Sequence, residues 1–180
     1  MNTFAKLLTS TLFGLTLLGT GCGNNDPGPG GGTPPPPPPN KCGSCARYEV
    51  CMTSGVCGIN PSSTWLFAVD SVTVASTKTD GSTWDAFGGA PDPFVQLDTK
   101  RTTTKQDTFT ATFGEGTSYT ATNLLNQGVA VTVYDEDVSA NDLIGGPTTV
   151  RPTEADLRSG TLTVTNLGQA QRITFTMTPQ

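Results

Sequence analysis

Residues 129–145, VAVTVYDEDVSANDLIG, join a strand pattern to a cluster of acidic side chains. The three valines of residues 129–133 recur at every second position, the spacing that places side chains on one face of a β-strand. Asp135 and Asp137 follow directly with the same spacing, so in an extended chain their carboxylates project to one side. Crowded carboxylates repel one another unless a cation lies between them, and hard oxygen ligands suit calcium. The stretch therefore predicts a strand that ends at a calcium-binding loop.

The segment 63–180 shows the same kind of alternation along most of its length. Its short apolar runs are separated by Gly, Pro, Asn and Asp turns, which is typical of an all-β fold and predicts an eight-stranded antiparallel β-sandwich. The first run changes phase after Asp70, which predicts a β-bulge. A single helical turn is expected at Pro152–Leu157, because Pro and acidic residues favour the start of a helix. The predicted strands are 65–74, 94–98, 108–113, 118–122, 129–134, 144–150, 161–165 and 172–178.

Composition excludes several classes of function. The 180-residue chain contains no histidine, which removes Ser-His-Asp and Cys-His catalysis and the usual ligand sets of zinc enzymes. Its formal net charge is -5 and it has no strongly basic block, so nucleic acid is not expected as a partner. Paired Asp residues also serve glycosidases, but no sugar-binding aromatic cleft is evident around this pair. We therefore expect a non-enzymatic binding protein.

The amino terminus has the pattern of an export signal. In residues 1–21, Lys6 supplies a positive charge, Leu7–Leu18 an apolar run too short to span a bilayer, and Gly19–Gly21 a small-residue cleavage region. The sequence around Cys22 resembles a bacterial lipoprotein cleavage site, in which the cysteine becomes the lipidated first residue. The resemblance implies an exported protein, lipid-anchored to a bacterial membrane, expected to be the outer membrane, and facing the periplasm or the cell surface. The alternative is an ordinary secreted protein with a spare thiol.

Residues 22–40 form a Gly/Pro-rich linker that contains six consecutive prolines, Pro34–Pro39. Such a composition cannot build a packed core. Polyproline extends about 3.1 Å per residue, so the segment suits a stiff spacer of roughly 50 Å. A disordered linker without a required length is the equally favoured interpretation.

Residues 41–62 contain four closely spaced cysteines. An even number of cysteines in an exported chain predicts two disulfides, with three possible pairings. A Cys-Gly-Ser-Cys redox pair is disfavoured because the sequence context of thioredoxin-like proteins is missing, and a four-cysteine zinc site is disfavoured in an oxidising compartment. We expect a small disulfide-rich module. Its cysteines are Cys42, Cys45, Cys51 and Cys57.

Two segments of the main domain resemble the C2 domain family. Residues 91–95, Pro-Asp-Pro-Phe-Val, match the family's Ser-Asp-Pro-Tyr-Val at the end of its first loop. Residues 133–145 match its third loop, which reads Val-x-Asp-x-Asp, a short spacer and Asn-Asp-x-Ile-Gly. The agreement spans essentially all of residues 64–180, and the order of the strands resembles the permuted topology called type II.

The resemblance implies that loops at one end of the sandwich bind two or three calcium ions and, in many members, anionic phospholipid headgroups. Phe87 and Val138 fall at expected loop tips, where they would contact a bilayer interface, although a Phe packed on its own domain is as common. Lys100, Arg101 and Lys105 are a thin version of the basic strand of lipid-binding members, so calcium is better supported than phospholipid. The alternative is a surface-protein or adhesion module in which calcium only stiffens the loops. The five implied calcium ligands are Asp85, Asp92, Asp135, Asp137 and Asp142.

Overall fold

The computed structural model describes residues 42–180 apart from Ala86 and Phe87. The predicted signal peptide, the lipidation site Cys22 and the linker to residue 40 lie outside the described residues. Within the part of the chain that is described, no helix has the length and apolar character needed to cross a bilayer.

Two four-stranded antiparallel sheets form the main domain, which confirms the predicted β-sandwich. Residues 42–180 with their short gap contain ten strands, one π-helical turn at Asn123–Gln127 and one helix, α1, at Glu154–Ser159. One sheet has the order β6-β3-β10-β9 and the other β5-β4-β7-β8, while β1 and β2 form a separate hairpin. The strands are β1 (Glu49–Cys51), β2 (Cys57–Ile59), β3 (Thr64–Val74), β4 (Pro93–Leu97), β5 (Lys100–Arg101), β6 (Thr110–Thr120), β7 (Val129–Asp135), β8 (Asp142–Val150), β9 (Thr161–Leu167) and β10 (Ala170–Pro179).

The core lies between the two sheets and follows the alternation of the sequence. In β7 the valines at 129, 131 and 133 are completely buried. In β10, Ile173, Phe175 and Met177 are buried, and the Phe175 ring stacks on Phe67 of the adjacent strand β3 at 4.7 Å between centroids. Burial of each such side chain stabilises the fold by roughly 1.5–3 kcal/mol relative to exposure.

The predicted bulge in β3 is present. The register of β3 with β6 shifts between Val69 and Ser71, and β10 shows a shift at the same place. Val69 and Val72 are therefore both fully buried although they are an odd number of positions apart.

The predicted strands 108–113 and 118–122 are wrong as separate elements, because the structure has one strand, β6, across them. The glycines between them do not form a turn. Gly116 faces Ala68 of β3, and a Cβ at Gly116 would lie 2.1 Å from the carbonyl oxygen of Phe67. Glycine is needed there for close approach of two strands. The short strand β5 was not predicted, so the sandwich still contains eight strands.

The helical turn predicted near Pro152 is helix α1. Thr153 caps it: the Asp156 backbone N–H donates to Thr153 Oγ1 over 3.2 Å, and the Thr153 N–H donates to Asp156 Oδ2 over 2.8 Å. This reciprocal pair satisfies two backbone donors at the start of the helix. Leu157 then packs into the core.

The cysteine module packs against one end of the sandwich. Disulfides join Cys42 to Cys51 and Cys45 to Cys57, and so connect the segment before β1 to the turn end of the β1–β2 hairpin. Ile59 enters the main hydrophobic core, and the Tyr48 ring meets the buried Trp65 edge-on at 5.0 Å between centroids. The module thus closes the end of the sandwich at which β3 begins.

Candidate metal centre

Three loops meet at the opposite end of the sandwich, where β3 finishes. We define loop A as residues 75–92, loop B as residues 102–109 and loop C as residues 136–141. Strands β4 and β7 are antiparallel neighbours with Pro93 opposite Asp135, so the end of loop A lies beside the start of loop C. The Glu136 N–H donates to the Asp92 carbonyl over 3.1 Å and joins the two loops directly.

Asp135 is the buried centre of this end. Its side chain is completely shielded from solvent, and its Oδ1 accepts a hydrogen bond from the Asp92 N–H over 2.6 Å. Its other oxygen, Oδ2, has no hydrogen-bond partner among the described residues. Burial raises the pKa of Asp135 to about 6; the charges of Asp137, Asp85 and Asp92 add to the rise, while the Asp92 N–H opposes it. The site holds a carboxylate whose negative charge is poorly compensated.

Asp85 and Asp137 converge on Asp135 from loops A and C. One carboxylate oxygen from each of the three residues lies within 4.8 Å of the other two. The pKa of Asp85 is raised, first by partial burial and then by the charges of Asp92 and Asp137. Gly89 leaves room for Asp85, since a Cβ at Gly89 would lie 2.9 Å from that of Asp85. Two oxygens bound to one calcium ion at about 2.3–2.6 Å are at most about 5.2 Å apart, so the spacing of these three oxygens is within the range for a shared ion.

Asp92 adjoins this group and organises the loops. Its Oδ1 accepts from the Asp107 N–H of loop B over 2.6 Å, and Asp107 Oδ1 accepts from the Ala90 N–H over 3.0 Å. Asp107 was not singled out in the sequence. Its backbone is in the left-handed region, with a φ of 48°, which Asp adopts more readily than most residues. This conformation is seen in the structure and leaves no pattern in the sequence.

Asp142 is placed differently from the other predicted ligands. It begins β8, and its Oδ2 forms an ion pair with Lys78 Nζ of loop A. Like Asp92, it is not in the group of three converging oxygens, but unlike Asp92 it is paired with a cationic side chain. Lys78 lies 64 positions from Asp142, and no local pattern marks it in the sequence.

The apolar and basic residues of this end have distinct environments. Val138, at the tip of loop C, is fully exposed, whereas Phe87 lies outside the described residues. Arg101 pairs with Glu136 of loop C over 2.7 Å, and its guanidinium lies 3.8 Å from the centroid of the Phe94 ring. This basic side chain of β5 is thus engaged within the domain.

The residues present fit a hard divalent cation. Carboxylates supply the converging donors, and a buried oxygen of Asp135 lacks a partner in the described structure. Calcium prefers six to eight oxygen ligands, which carboxylates, backbone carbonyls and water provide together. A bound cation would supply the positive charge that these side chains lack.

Comparison with known proteins gives one family match. The sequence model of the C2 domain family matches residues 71–164, just over half of the chain. No curated protein matches the chain significantly.

Several solved structures are similar to this chain. One C2 domain is 16% identical with a TM-score of 0.45, over 66% of this chain and 98% of that one. A C2 domain of a plant Extended Synaptotagmin 1 is 18% identical with a TM-score of 0.46, over 67% of this chain and 98% of that one. The calcium-bound pair of C2 domains of Extended-Synaptotagmin 2 is 12% identical with a TM-score of 0.43, over 66% of this chain and 45% of that one.

Proposed function

This chain belongs to the C2 domain family, and we propose that it is a non-enzymatic module that binds calcium between loops A and C. The observation that carries the proposal is the unpartnered Oδ2 of the fully buried Asp135, held near carboxylate oxygens of Asp85 and Asp137. A buried carboxylate oxygen without a donor is destabilising, and a cation in contact with it removes that penalty. Asp92 supports the site because its N–H donates to Asp135 at the end of β7 and its carboxylate accepts from the Asp107 N–H of loop B.

Calcium binding would tie together loops that lie far apart in sequence. Asp85 belongs to loop A, while Asp135 and Asp137 flank the start of loop C. Without a cation their like charges push these segments apart; with one, the same charges become attractive links. An ion that binds the folded chain preferentially stabilises it by mass action.

Calorimetric titration of the purified protein with calcium tests the proposal. We expect saturable binding, and we expect Asp135→Asn with Asp137→Asn to abolish it. The matched control is Asp70→Asn with Glu154→Gln, which removes the same charge at exposed positions outside the acidic end, the name we give to loops A, B and C together with Asp135 and Asp142. Equal binding by both double variants would refute the assignment.

We further propose that the acidic end contacts anionic phospholipid when calcium is bound. The fully exposed Val138 at the tip of loop C supports this, because an apolar loop tip beside a cation site suits the boundary between headgroups and acyl chains. The alternative is a cell-surface protein partner, with calcium acting only on loop structure.

Co-sedimentation with phosphatidylserine vesicles separates these alternatives. We expect calcium-dependent sedimentation that Val138→Asp reduces. Val56→Asp is the control, because Val56 is also exposed, at 64%, but lies in the cysteine module at the other end. No sedimentation with calcium present would favour the protein partner.

For the amino terminus, we propose export and attachment to a bacterial membrane through a lipid on Cys22. The support is the signal-like pattern of residues 1–21 and the small residues around Cys22. Labelling of expressing cells with radioactive palmitate should mark the wild type and not Cys22→Ala. Label retained in the variant would exclude this attachment.

A further inference from the structure

Lys78 places a positive charge against the acidic end. Its Nζ pairs with Asp142 Oδ2 and lies 5.5 Å from the centroid of the Trp84 ring. The pKa of Lys78 is raised, mainly by its hydrogen bond to Asp142 and further by the charges of Asp137 and Asp135. The ammonium therefore lies within the field of the same carboxylates that converge on the proposed calcium site.

The backbone holds Lys78 in place independently of that ion pair. The Lys78 N–H donates to the Ser82 carbonyl over 2.9 Å, and the Gly81 N–H donates to the Lys78 carbonyl over 3.0 Å. Asp80 closes this turn by accepting from both the N–H and the hydroxyl of Ser82. The buried Trp84 is fixed in turn by an indole N–H bond of 2.9 Å to the Ala75 carbonyl. Lys78 is thus directed toward Asp142 by a closed turn and an aromatic surface.

Asp142 and Asp135 are directly opposite each other in the β7–β8 ladder. Like charges in this position of an antiparallel pair are destabilising. The two carboxylates have different surroundings. Asp135 is fully buried beside Asp85 and Asp137. The side chain of Asp142 is 47% exposed, and it lines a cavity of about 280 Å³ together with Lys78 and Trp84.

We propose that Lys78 is a built-in counterion that withdraws Asp142 from calcium coordination, so that the acidic end takes up one calcium ion. This inference rests on the proposed calcium function. The ammonium pairs with the Asp142 carboxylate, so that carboxylate is not available as a ligand for a second ion. The single ion would then be bound by Asp85, Asp135 and Asp137, which converge without Asp142.

Calorimetric calcium titration of four proteins tests the inference: the wild type, Lys78→Met, Asp142→Asn and the double variant. We expect one ion in the wild type and, because Asp142 is not a ligand there, a Kd in Asp142→Asn within about threefold of it. Lys78→Met should bind a second ion, and the double variant should return to one. Lys100→Met is the charge-matched control, since Lys100 lies beyond the far end of β4 from the acidic loops, and it should keep one ion.

The possible failures are distinguishable. A wild type that takes up no calcium overturns the proposed function and this stoichiometry together. One ion in both the wild type and Lys78→Met, or a loss of affinity of more than about tenfold in Asp142→Asn, overturns the inference alone.

Thermal unfolding in EDTA tests the ion pair without calcium. Lys78→Met should lower Tm, and the loss should be at least halved in the Asp142→Asn background, because the charge that Lys78 neutralises is then gone. Equal losses in both backgrounds would show that Lys78 acts by packing on Trp84, and would overturn its role as a counterion.

Discussion

The two ends of the sandwich hold their chain segments together by different kinds of contact. At the disulfide end, residues 42–62, two disulfides join Cys42 and Cys45 to the hairpin, Tyr48 packs on Trp65, and Glu49 pairs with Arg158 over 3.0 Å. At the acidic end, loops A and C place the carboxylates of Asp85 and Asp137 beside the buried Asp135. The eleven residues of β3 connect the two ends, a distance of roughly 35 Å.

The difference lies in where each end finds its stabilising contacts. The disulfide end contains its own partners, so its stability should not depend on a divalent cation as long as the disulfides stay intact. The acidic end has an excess of negative charge that the described chain balances only in part, through the ion pairs of Lys78 with Asp142 and of Arg101 with Glu136. Its stability should therefore depend on the supply of a divalent cation.

The largest expected effect comes from Trp65→Ala, which breaks the contact between the cysteine module and the sandwich. Trp65 is 1% exposed and meets Tyr48, so the loss of its side chain should cost about 3–5 kcal/mol of unfolding free energy. Urea denaturation measures the cost, which should be equal with and without calcium. A cost that calcium reverses would contradict the independence of the two ends.

The next effect is that of Cys45→Ala with Cys57→Ala. This disulfide closes a short loop of sequence separation 12, so its removal should cost about 3 kcal/mol. The calcium Kd, measured by calorimetry, should stay unchanged because the acidic end is roughly 35 Å away. A large change in Kd would mean that the two ends are coupled through the sheets.

The third effect belongs to the acidic end. Calcium at about 100 times its Kd should add roughly 2.7 kcal/mol to the unfolding free energy and raise Tm accordingly. Asp135→Asn with Asp137→Asn should eliminate the rise, since it removes two of the three converging carboxylates. The exposed double variant Asp70→Asn with Glu154→Gln should keep it. A rise that persists in the first variant would exclude these residues as ligands.

The smallest effect is expected from Arg158→Met at the disulfide end. The Arg158 guanidinium lowers the pKa of Glu49 from its ordinary value of 4.5, mainly through a hydrogen bond. This interaction therefore stabilises the folded chain at pH values above 4.5, the ordinary pKa of Glu49. The stabilisation is lost as the pH falls through the lowered pKa of Glu49 in the folded chain. The Tm difference between wild type and variant should thus be small at pH 7 and decrease further in stronger acid, where the Arg158 hydrogen bond of 3.2 Å to the Cys57 carbonyl remains. A difference that does not depend on pH would assign the effect to that hydrogen bond and to packing of the Arg158 stem.

Much of the fold can be predicted from the sequence, because the alternation of apolar and polar side chains along a strand indicates which side chains are buried. The buried set of β7 and β10 and the bulge after Val69 all follow from spacing alone. The sequence does not predict the unbroken strand β6, because glycine commonly marks a turn, whereas Gly116 lies within the strand and allows close approach to Phe67. The pairing of the four cysteines was open, since spacing does not determine which ones meet.

The candidate site can be predicted only in part from the sequence. The family resemblance, now supported by the match over residues 71–164, located the acidic loops. It did not separate Asp142 from Asp85, Asp135 and Asp137, because the ion pair with Lys78 depends on how loop A lies against β8. Contacts between residues so far apart in sequence leave no periodic signal.

The described chain begins and finishes at the same end of the sandwich. Cys42 belongs to the module beside the start of β3, and the Gln180 N–H donates to the Thr64 carbonyl over 2.9 Å. A bead, a sensor chip or a fused partner attached at either of these points will lie on the side of the cysteine module. The carboxylate loops will then face outward, free to meet a second surface.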